Sequence, residues 1–481
     1  AQEFLRALST MIARTQAAQS AKAASTSAPA AAGKDSPRFT ICVLPFTNMS
    51  GDPEQEYFSD GITEDIITDL SKVSALAVTS SNTAFRYKGK HAEIAKVARE
   101  LKVSHVLEGS VRKAGGRIRI NAQLIDAASD NHVWAERYDR ESSDIFALQD
   151  EISEAIVKAL KLRLLPEEKK AIVRRGTENA DAHNLYLMAR QTYVTSQEGD
   201  ARSAEAIVRL CIRATEIDPH YAQAWALMAV GYFRSRWMQG KGSEDGMAAA
   251  ERALAFDPKL AEAHAIKAQL LLQDGDADNA AAEVAIALEL DSESYEVNRS
   301  AGRLNYQLHR YEDAARFYDR AVVLMDADIN SSNMLMSCYT ALGDREATRR
   351  AAHLTVKRTD VVLAHDPNNA DVTAYSAYAL AVLGETERCK ARMERTLLID
   401  PNSFTMRYNF ACALSAHLKD KQGALDMLAP VFESVTNTFL PYAKADPDLD
   451  MLRDDPRYKA MVAAAEARLE KEAKSAAINT A

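Results

Sequence analysis

The chain has 481 residues, 47% of them hydrophobic and 26% charged, with a formal net charge of −9. That length is too great for one core and implies two to four domains, and the negative balance argues against bulk nucleic-acid binding, though not against a local basic patch. Five scattered cysteines, Cys42, Cys211, Cys338, Cys389 and Cys412, form no CxxC pair, so neither a disulfide framework nor a zinc knuckle is indicated; several fall on apolar helix faces and read as small buried hydrophobes.

The first residue is Ala1, and no charged and apolar leader follows it, so the chain reads as a piece of something longer. Within residues 1–37, Phe4 to Ile12 reads as the end of an upstream helix and Ala17 to Pro37 as an Ala/Ser/Thr-rich linker. No run of 18 apolar residues occurs, so no membrane span is expected.

Residues 38–165 read as an α/β domain. Thr40 to Phe46 is a short apolar run, expected as a buried strand, and Asp60 to Leu70 carries Ile62, Ile66, Ile67 and Leu70 at helical spacing, with Asp60 placed to cap it. Leu76 to Thr79 reads as a second strand, His91 to Leu101 as a second helix and His105 to Lys113 as a third strand. Gly115-Gly116 then supplies a turn with positive backbone angles. In the fourth strand Ile118, Ile120, Ala122 and Leu124 alternate with Arg117, Arg119, Asn121 and Gln123, so one face is buried and the other wet. Asn131 to Tyr138 is a fifth strand, and Ile145 to Leu165 a long amphipathic helix. The last three strands are expected as an antiparallel meander.

Little in this stretch points to chemistry. There is no GxSxG elbow, HExxH helix or GxxxxGK[ST] loop, and the ten histidines show no ligand-like pairing, so no catalytic residue, metal or cofactor is assigned. Asp52, Glu54 and Glu56 cluster between a strand end and a helix start, where two carboxylates can serve acid and base roles; a structural loop is the favoured reading, because no nucleophile or partner base is near. Arg112, Arg117 and Arg119 form a candidate anion or partner patch on the wet sheet face. The domain carries 17 Lys plus Arg against 19 Asp plus Glu, so a solvated sheet face is the favoured reading of that patch.

After a connector at 166–180, a junction recurs through residues 181–446: Asp218-Pro219, Asp257-Pro258, Asp291, Asp326, Asp366-Pro367 and Asp400-Pro401, at spacings of 39, 34, 35, 40 and 34. Proline ends one helix and suits the first turn of the next, and aspartate offers an oxygen to the new helix's free amides. A period near 34 means stacked helical hairpins. Counting from each junction starts segments at Ala222, Ala261 and Tyr295. The first places Trp225, Met228, Ala229 and Tyr232 in large, large, small and aromatic positions; the others place Ala268, Ala280, Gly302 and Ala314 where helices must touch. This pattern resembles the tetratricopeptide repeat family, with insertions such as Gln239 to Asp245 lengthening some units. The resemblance implies a concave groove lined by Gln223, Phe233, Glu262, Gln269, Arg299, Arg303, Tyr306, Tyr378 and Tyr408. Arg299 and Arg303 stand one turn apart, able to converge on a carboxylate beside the wall of Tyr306. Residues 447–481 read as a capping helix and tail.

The expected fold class is thus an α/β amino-terminal domain plus an all-α superhelical tetratricopeptide array. The runs LPFTNMSGDPEQEYFSDG (Leu44 to Gly61), VLEGSVRKAGGRIRINAQLIDA (Val106 to Ala127) and HVWAERYDR (His132 to Arg140) resemble the TolB amino-terminal-like domain of bacterial signalling proteins. There it commonly precedes tetratricopeptide repeats and follows a class III nucleotide cyclase, a winged-helix or a TIR-like effector. The resemblance implies a non-catalytic sensory or scaffolding module with a protein, peptide or small ligand in its groove, no nucleic acid in this stretch, and compatibility with a homo-oligomer. Regulation of a missing cyclase domain and assembly of protein complexes are the alternatives. A cytoplasmic location is expected from the unpaired thiols, or a periplasmic one if a membrane span lies upstream.

Overall fold

The computed structural model describes residues 39–89, 93–162, 164–165, 169, 176–196, 201–239, 243–325, 328–401 and 403–479. The expected upstream helix and linker at 1–37, most of the connector, part of the Gln239 to Asp245 insertion and the Asp326 junction lie outside them.

The amino-terminal sheet is built on β1 (Phe39–Val43), which pairs in parallel with β3 (Leu76–Val78) on one side and β4 (His105–Ala114) on the other. A two-residue strand, β2 (Thr47–Asn48), adds to β4 in parallel. β4, β5 (Arg117–Asp126) and β6 (Asn131–Glu141) then form the antiparallel meander. Four helices accompany the sheet: α1 (Glu56–Ser71), α2 (Ser81–Phe85), α3 (Ile94–Leu101) and α4 (Ile145–Ala159). The alternation in β5 fixes its register, because Ile118, Ile120, Ala122 and Leu124 are all buried. They share one core with Ile62, Ile66 and Leu70 of α1 and Ile152 and Ile156 of α4. Each such fully buried aliphatic side chain stabilises by about 1.5–3 kcal/mol.

Several details depart from the sequence expectation: α2 and β2 are additional, and α4 ends at Ala159, short of the expected Leu165. The first helix begins earlier, at Glu56, so Asp60 lies inside it and binds Lys88 instead of capping. Burial pushes the Asp60 carboxyl up to about 6 even with that cation beside it. The cap in this region is Asp52, whose Oδ1 accepts the amide of Glu54 at 2.9 Å and starts the short 3-10 turn Pro53–Gln55. With Glu56 paired to Lys88 at 3.1 Å, the acidic loop is occupied by structural bonds.

The rest of the described chain is helical. The first hairpins are α5 (Ala180–Thr195) with α6 (Ala201–Ile217), α7 (Ala222–Gln239) with α8 (Ser243–Phe256), α9 (Ala261–Gln273) with α10 (Ala277–Leu290), and α11 (Tyr295–Gln307) with α12 (Tyr311–Leu324). The later ones are α13 (Ile329–Ala341) with α14 (Arg345–His365), α15 (Ala370–Leu383) with α16 (Thr386–Ile399), and α17 (Phe404–Cys412) with α18 (Lys421–Ser434). A short α19 (Phe439–Ala445), a 3-10 segment at Pro447–Leu452 and α20 (Pro456–Asn479) close the fold. The two helices of every hairpin pack on each other, and the first helices of most neighbouring hairpins also touch, as in tetratricopeptide-like solenoids. Small residues mark those contacts: Ala268, Ala280 and Ala314 are buried, and a Cβ on Gly302 would lie 2.9 Å from the Tyr318 ring.

The junction aspartates work differently from the expectation. Asp218, Asp257 and Asp291 accept the amide two residues on, at 3.0, 3.1 and 2.9 Å, which stabilises the turn itself. Capping of the following helix falls to a later side chain, such as Ser294, Asn369 or Ser403. Two more residues are needed to reverse direction before the new helix starts.

Candidate ligand cavity at the domain junction

The concave face of the array is divided in two. Its proximal part, formed by α5, α7, α9 and α11, is covered by α1 and α4 of the α/β domain, leaving a cavity of about 410 Å³. That volume lies within the range of small-molecule sites. The cover is held by specific contacts. Gly61 of α1 approaches Leu187 of α5 so closely that a Cβ would lie 2.4 Å from Leu187 Cδ1. Arg190 donates to Glu64 at 2.7 Å, His183 stands 3.2 Å from Asp65, and the Tyr57 hydroxyl donates to Asn184 at 2.9 Å. Farther along, Arg86 donates to the carbonyl of Val323 in α12 at 2.8 Å, so the α/β domain touches both the first and the fourth hairpins.

Gln223, Phe233, Gln269, Arg299 and Arg303 all line this cavity, as does Glu262. Tyr186, Tyr193 and Tyr221 add aromatic wall. Glu64 is the main cause holding Arg190 still further above the ordinary arginine range. Burial pushes Glu262 up to about 7, and Glu296 close by adds to the effect. The Arg303 guanidinium lies 5.2 Å from the centre of the Phe233 ring, a cation–π distance. Arg234 donates to Ser196 Oγ at 2.9 Å and stacks on Tyr193.

Tyr306, Tyr378 and Tyr408 belong to the distal part, and here the expected open groove gives way to a filled one. The Tyr306 hydroxyl donates to Asp446 Oδ1 at 3.1 Å and Tyr408 to Asp446 Oδ2 at 2.5 Å. Tyr378 and Ser337 donate to Asp448 Oδ2 at 2.5 and 3.1 Å. The segment thus clamped is the chain's own Pro447–Leu452 turn, which also buries Leu449 and Leu452 completely. Covering the groove with this turn gives the buried hydroxyls of Tyr306 and Tyr408 a shared carboxylate acceptor, and gives that of Tyr378 one beside its neighbours Ser337 and His417. Burial raises the carboxyls of both Asp446 and Asp448 above the ordinary range, and for Asp448 the charge of Asp446 adds to it. His417, 3.2 Å from the Tyr378 hydroxyl, is pushed down to about 4 by burial.

Sequence reasoning placed no metal. Among the described residues the structure brings Cys412 Sγ and carboxylate oxygens of Asp446 and Asp448 within 4.8 Å of one another. The Cys412 thiol and the tyrosines already bond these oxygens, so the group acts as a hydrogen-bonded plug. All five cysteines are free and buried.

The sheet-face patch is likewise engaged. Arg117 and Arg119 each make two hydrogen bonds to Asp139 of β6, with closest distances of 2.6 and 2.7 Å. These bonds, Arg119 first, hold the Asp139 carboxyl down at about 2. Arg112 is exposed and faces Arg119 across the β4–β5 register. A carboxylate on the neighbouring strand was present in the sequence, but only the β5–β6 register aligns it with both arginines.

Comparison with known proteins adds the following. Residues 37–155 match the family model described as the second domain of HilA/YgeH-like transcriptional regulators. A stretch of 201 residues is 51% identical to a protein of Rhizobium meliloti (strain 1021) named putative adenylate cyclase 3, covering 41% of this chain and 34% of that protein. The chain therefore spans about a third of the length of the curated relative it matches. Solved structures similar to it include YrrB, described as a TPR protein with an unusual peptide-binding site (17% identity, 41% of this chain and 95% of that one, TM-score 0.28). A human IFIT1 dimer with m7Gppp-AAAA is another (13%, 68% and 75%, TM-score 0.41). TolB from Acinetobacter baumannii is a third (19%, 26% and 29%, TM-score 0.20). No helix among the described residues is long and apolar enough to cross a membrane.

Proposed function

We propose that this chain is the non-catalytic sensory and scaffolding part of a bacterial signalling protein. In this reading a TolB-like α/β domain and a superhelical tetratricopeptide array hold a peptide or small ligand between them and bias an effector that precedes them. The observation that carries the proposal is the cavity walled on one side by α1 and α4 and on the other by four array helices. A ligand there touches both units, so its binding energy depends on how they are docked, which is what a ligand-driven shift requires. The 51% match to a putative adenylate cyclase supports nucleotide cyclisation as the effector chemistry. The match of residues 37–155 to a domain of transcriptional regulators supports a regulatory setting for the α/β unit. A pure assembly role is less favoured, because the chain's own Pro447–Leu452 turn occupies the distal groove.

The test uses the natural full-length protein. Val230 lines the cavity, and Val230→Trp is expected to fill it and remove the effector's response to its stimulus while leaving its unstimulated activity intact. An identical response in the variant and the parent would refute the proposal.

A further inference from the structure

The polar groups that wall the cavity differ in whether the protein already uses them. Arg234, Arg299 and Arg303 line it but are all engaged within the chain. Elsewhere on the wall Glu64 of α1, Glu262 of α9 and Glu296 of α11 gather around one guanidinium, that of Arg190 on α5. Arg190 is bonded to Glu64 at 2.7 Å. Among the described residues Glu262 and Glu296 form no ion pair, and Glu296 accepts only from Ser294 Oγ, at 3.2 Å. This part of the wall holds more negative charge than the protein neutralises.

Three tyrosines stand beside these carboxyls, and their hydroxyls have no hydrogen-bond partner among the described residues. Tyr193 is 6% exposed and Tyr221 3%, and both line the cavity together with Tyr186. The Tyr186 hydroxyl faces Glu262, Glu296, Glu64 and Arg190, and that of Tyr193 faces Glu296 and the arginines at 190, 234 and 299. Buried hydroxyls in folded proteins are nearly always paired, so three unpaired ones on one cavity wall point to partners supplied from inside it.

We propose that the cavity binds an arylalkylamine as its ammonium cation. The ammonium lies between Glu262 and Glu296 with the Tyr186 hydroxyl as a further acceptor, and the aromatic ring packs on Tyr186, Leu227 and Val230. An ammonium carries three N–H donors and no acceptor, which matches two carboxyls and a hydroxyl, and its charge offsets what Arg190 leaves uncompensated. An anion would be repelled by the same carboxyls. The ligand's ring gains aromatic contact as well as burial. A volume of about 410 Å³ enclosed between α1, α4 and the array suits a free small molecule and not a folded partner. The inference rests on the cavity being a ligand site, as proposed above, and adds the chemistry of the ligand.

Glu262 is faced by Glu296 from α11, by Asp291 from the turn before α11, and by Arg190 and Tyr186 from α5. Burial pushes its carboxyl up to about 7, with Glu296 adding to the effect, and only the ionised form holds an ammonium. Binding of the amine therefore weakens by up to about tenfold from pH 8 to pH 6.

The experiment is calorimetric titration of the full chain at pH 8 with phenethylamine, with phenethyl alcohol, which keeps the shape without the charge, and with hydrocinnamate, which reverses it. The alcohol and the carboxylate are expected to bind at least about tenfold more weakly than the amine, the loss of one charge-assisted bond. Glu262→Gln should weaken the amine to near the level of the alcohol, leave the alcohol unchanged and flatten the pH dependence. Val230→Trp should abolish binding of the amine with an unchanged melting profile. Failure of phenethylamine to bind, or binding of the alcohol within twofold of it, overturns the inference. If amine and alcohol bind equally and both are lost in Val230→Trp, the cation is refuted and the cavity remains a ligand site. Amine binding that survives Val230→Trp refutes both.

Discussion

Replacing Gly61 by alanine sets two effects of similar size against each other. Gly61 lies inside α1, where Gly→Ala ordinarily gains about 1 kcal/mol of helix propensity. Its new Cβ, however, would stand 2.4, 2.6 and 3.0 Å from Leu187 Cδ1, Cδ2 and Cγ. Leu187 is only 4% exposed, so it cannot swing away without disturbing the cover of the cavity. Overpacking of this kind costs about 1–3 kcal/mol and offsets the propensity gain, so Gly61→Ala should destabilise by up to about 2 kcal/mol. Leu187→Ala alone should cost about 2–5 kcal/mol. In the Gly61→Ala background it should cost at least about 1 kcal/mol less, since the new methyl takes part of the vacated space. Urea denaturation of the parent, the two single variants and the double variant measures that coupling. Additivity within about 0.5 kcal/mol would show that the two residues do not meet, and the described docking of the α/β domain would be wrong.

Two further outcomes follow from buried carboxyls. Because the folded chain holds Glu262 at about 7, against 4.5 for an ordinary glutamate, the fold binds its proton more tightly than the unfolded chain does. Without ligand, stability should then decline as the pH rises from about 4.5 to about 7 and level off above that. Glu262→Gln should be as stable as the parent at pH 4 and more stable at pH 8, by roughly 2–3 kcal/mol; equal stability at both pH values in a denaturant titration would contradict this. Tyr408→Phe deletes one donor to buried Asp446 with little change of shape, and should cost about 1.5–3 kcal/mol. Hydrogen exchange in α20 should quicken in that variant, and an unchanged unfolding midpoint would mean the turn is not held by its carboxylates.

The repeat was legible because its punctuation is local. Proline and aspartate act on their immediate neighbours, so segments starting at Ala222, Ala261 and Tyr295 coincide with the first residues of α7, α9 and α11. The strand alternation from Ile118 to Leu124 was legible for the same reason. What escaped were pairings between distant residues. Nothing local to Tyr306 announces Asp446, which lies 140 positions away, and the aromatic groove positions look alike whether they receive a foreign segment or the chain's own. The cavity escaped because it forms only when α1 docks on α5. A glycine at position 61, in the middle of a helical pattern, was the available trace of that close approach. Asp60 shows a further limit: a capping side chain and a buried partner of Lys88 have the same sequence signature when the helix start is misplaced by four residues.

Hydrogen exchange of the full chain and of its Leu187→Asp variant, which puts a charge into the buried contact with Gly61, addresses the shared cavity directly. Loosening that contact should quicken exchange in Glu56–Ser71 of the α/β domain and in Tyr295–Gln307 of the array together. Faster exchange confined to one of the two segments, or seen in neither, would contradict a cavity built from both units.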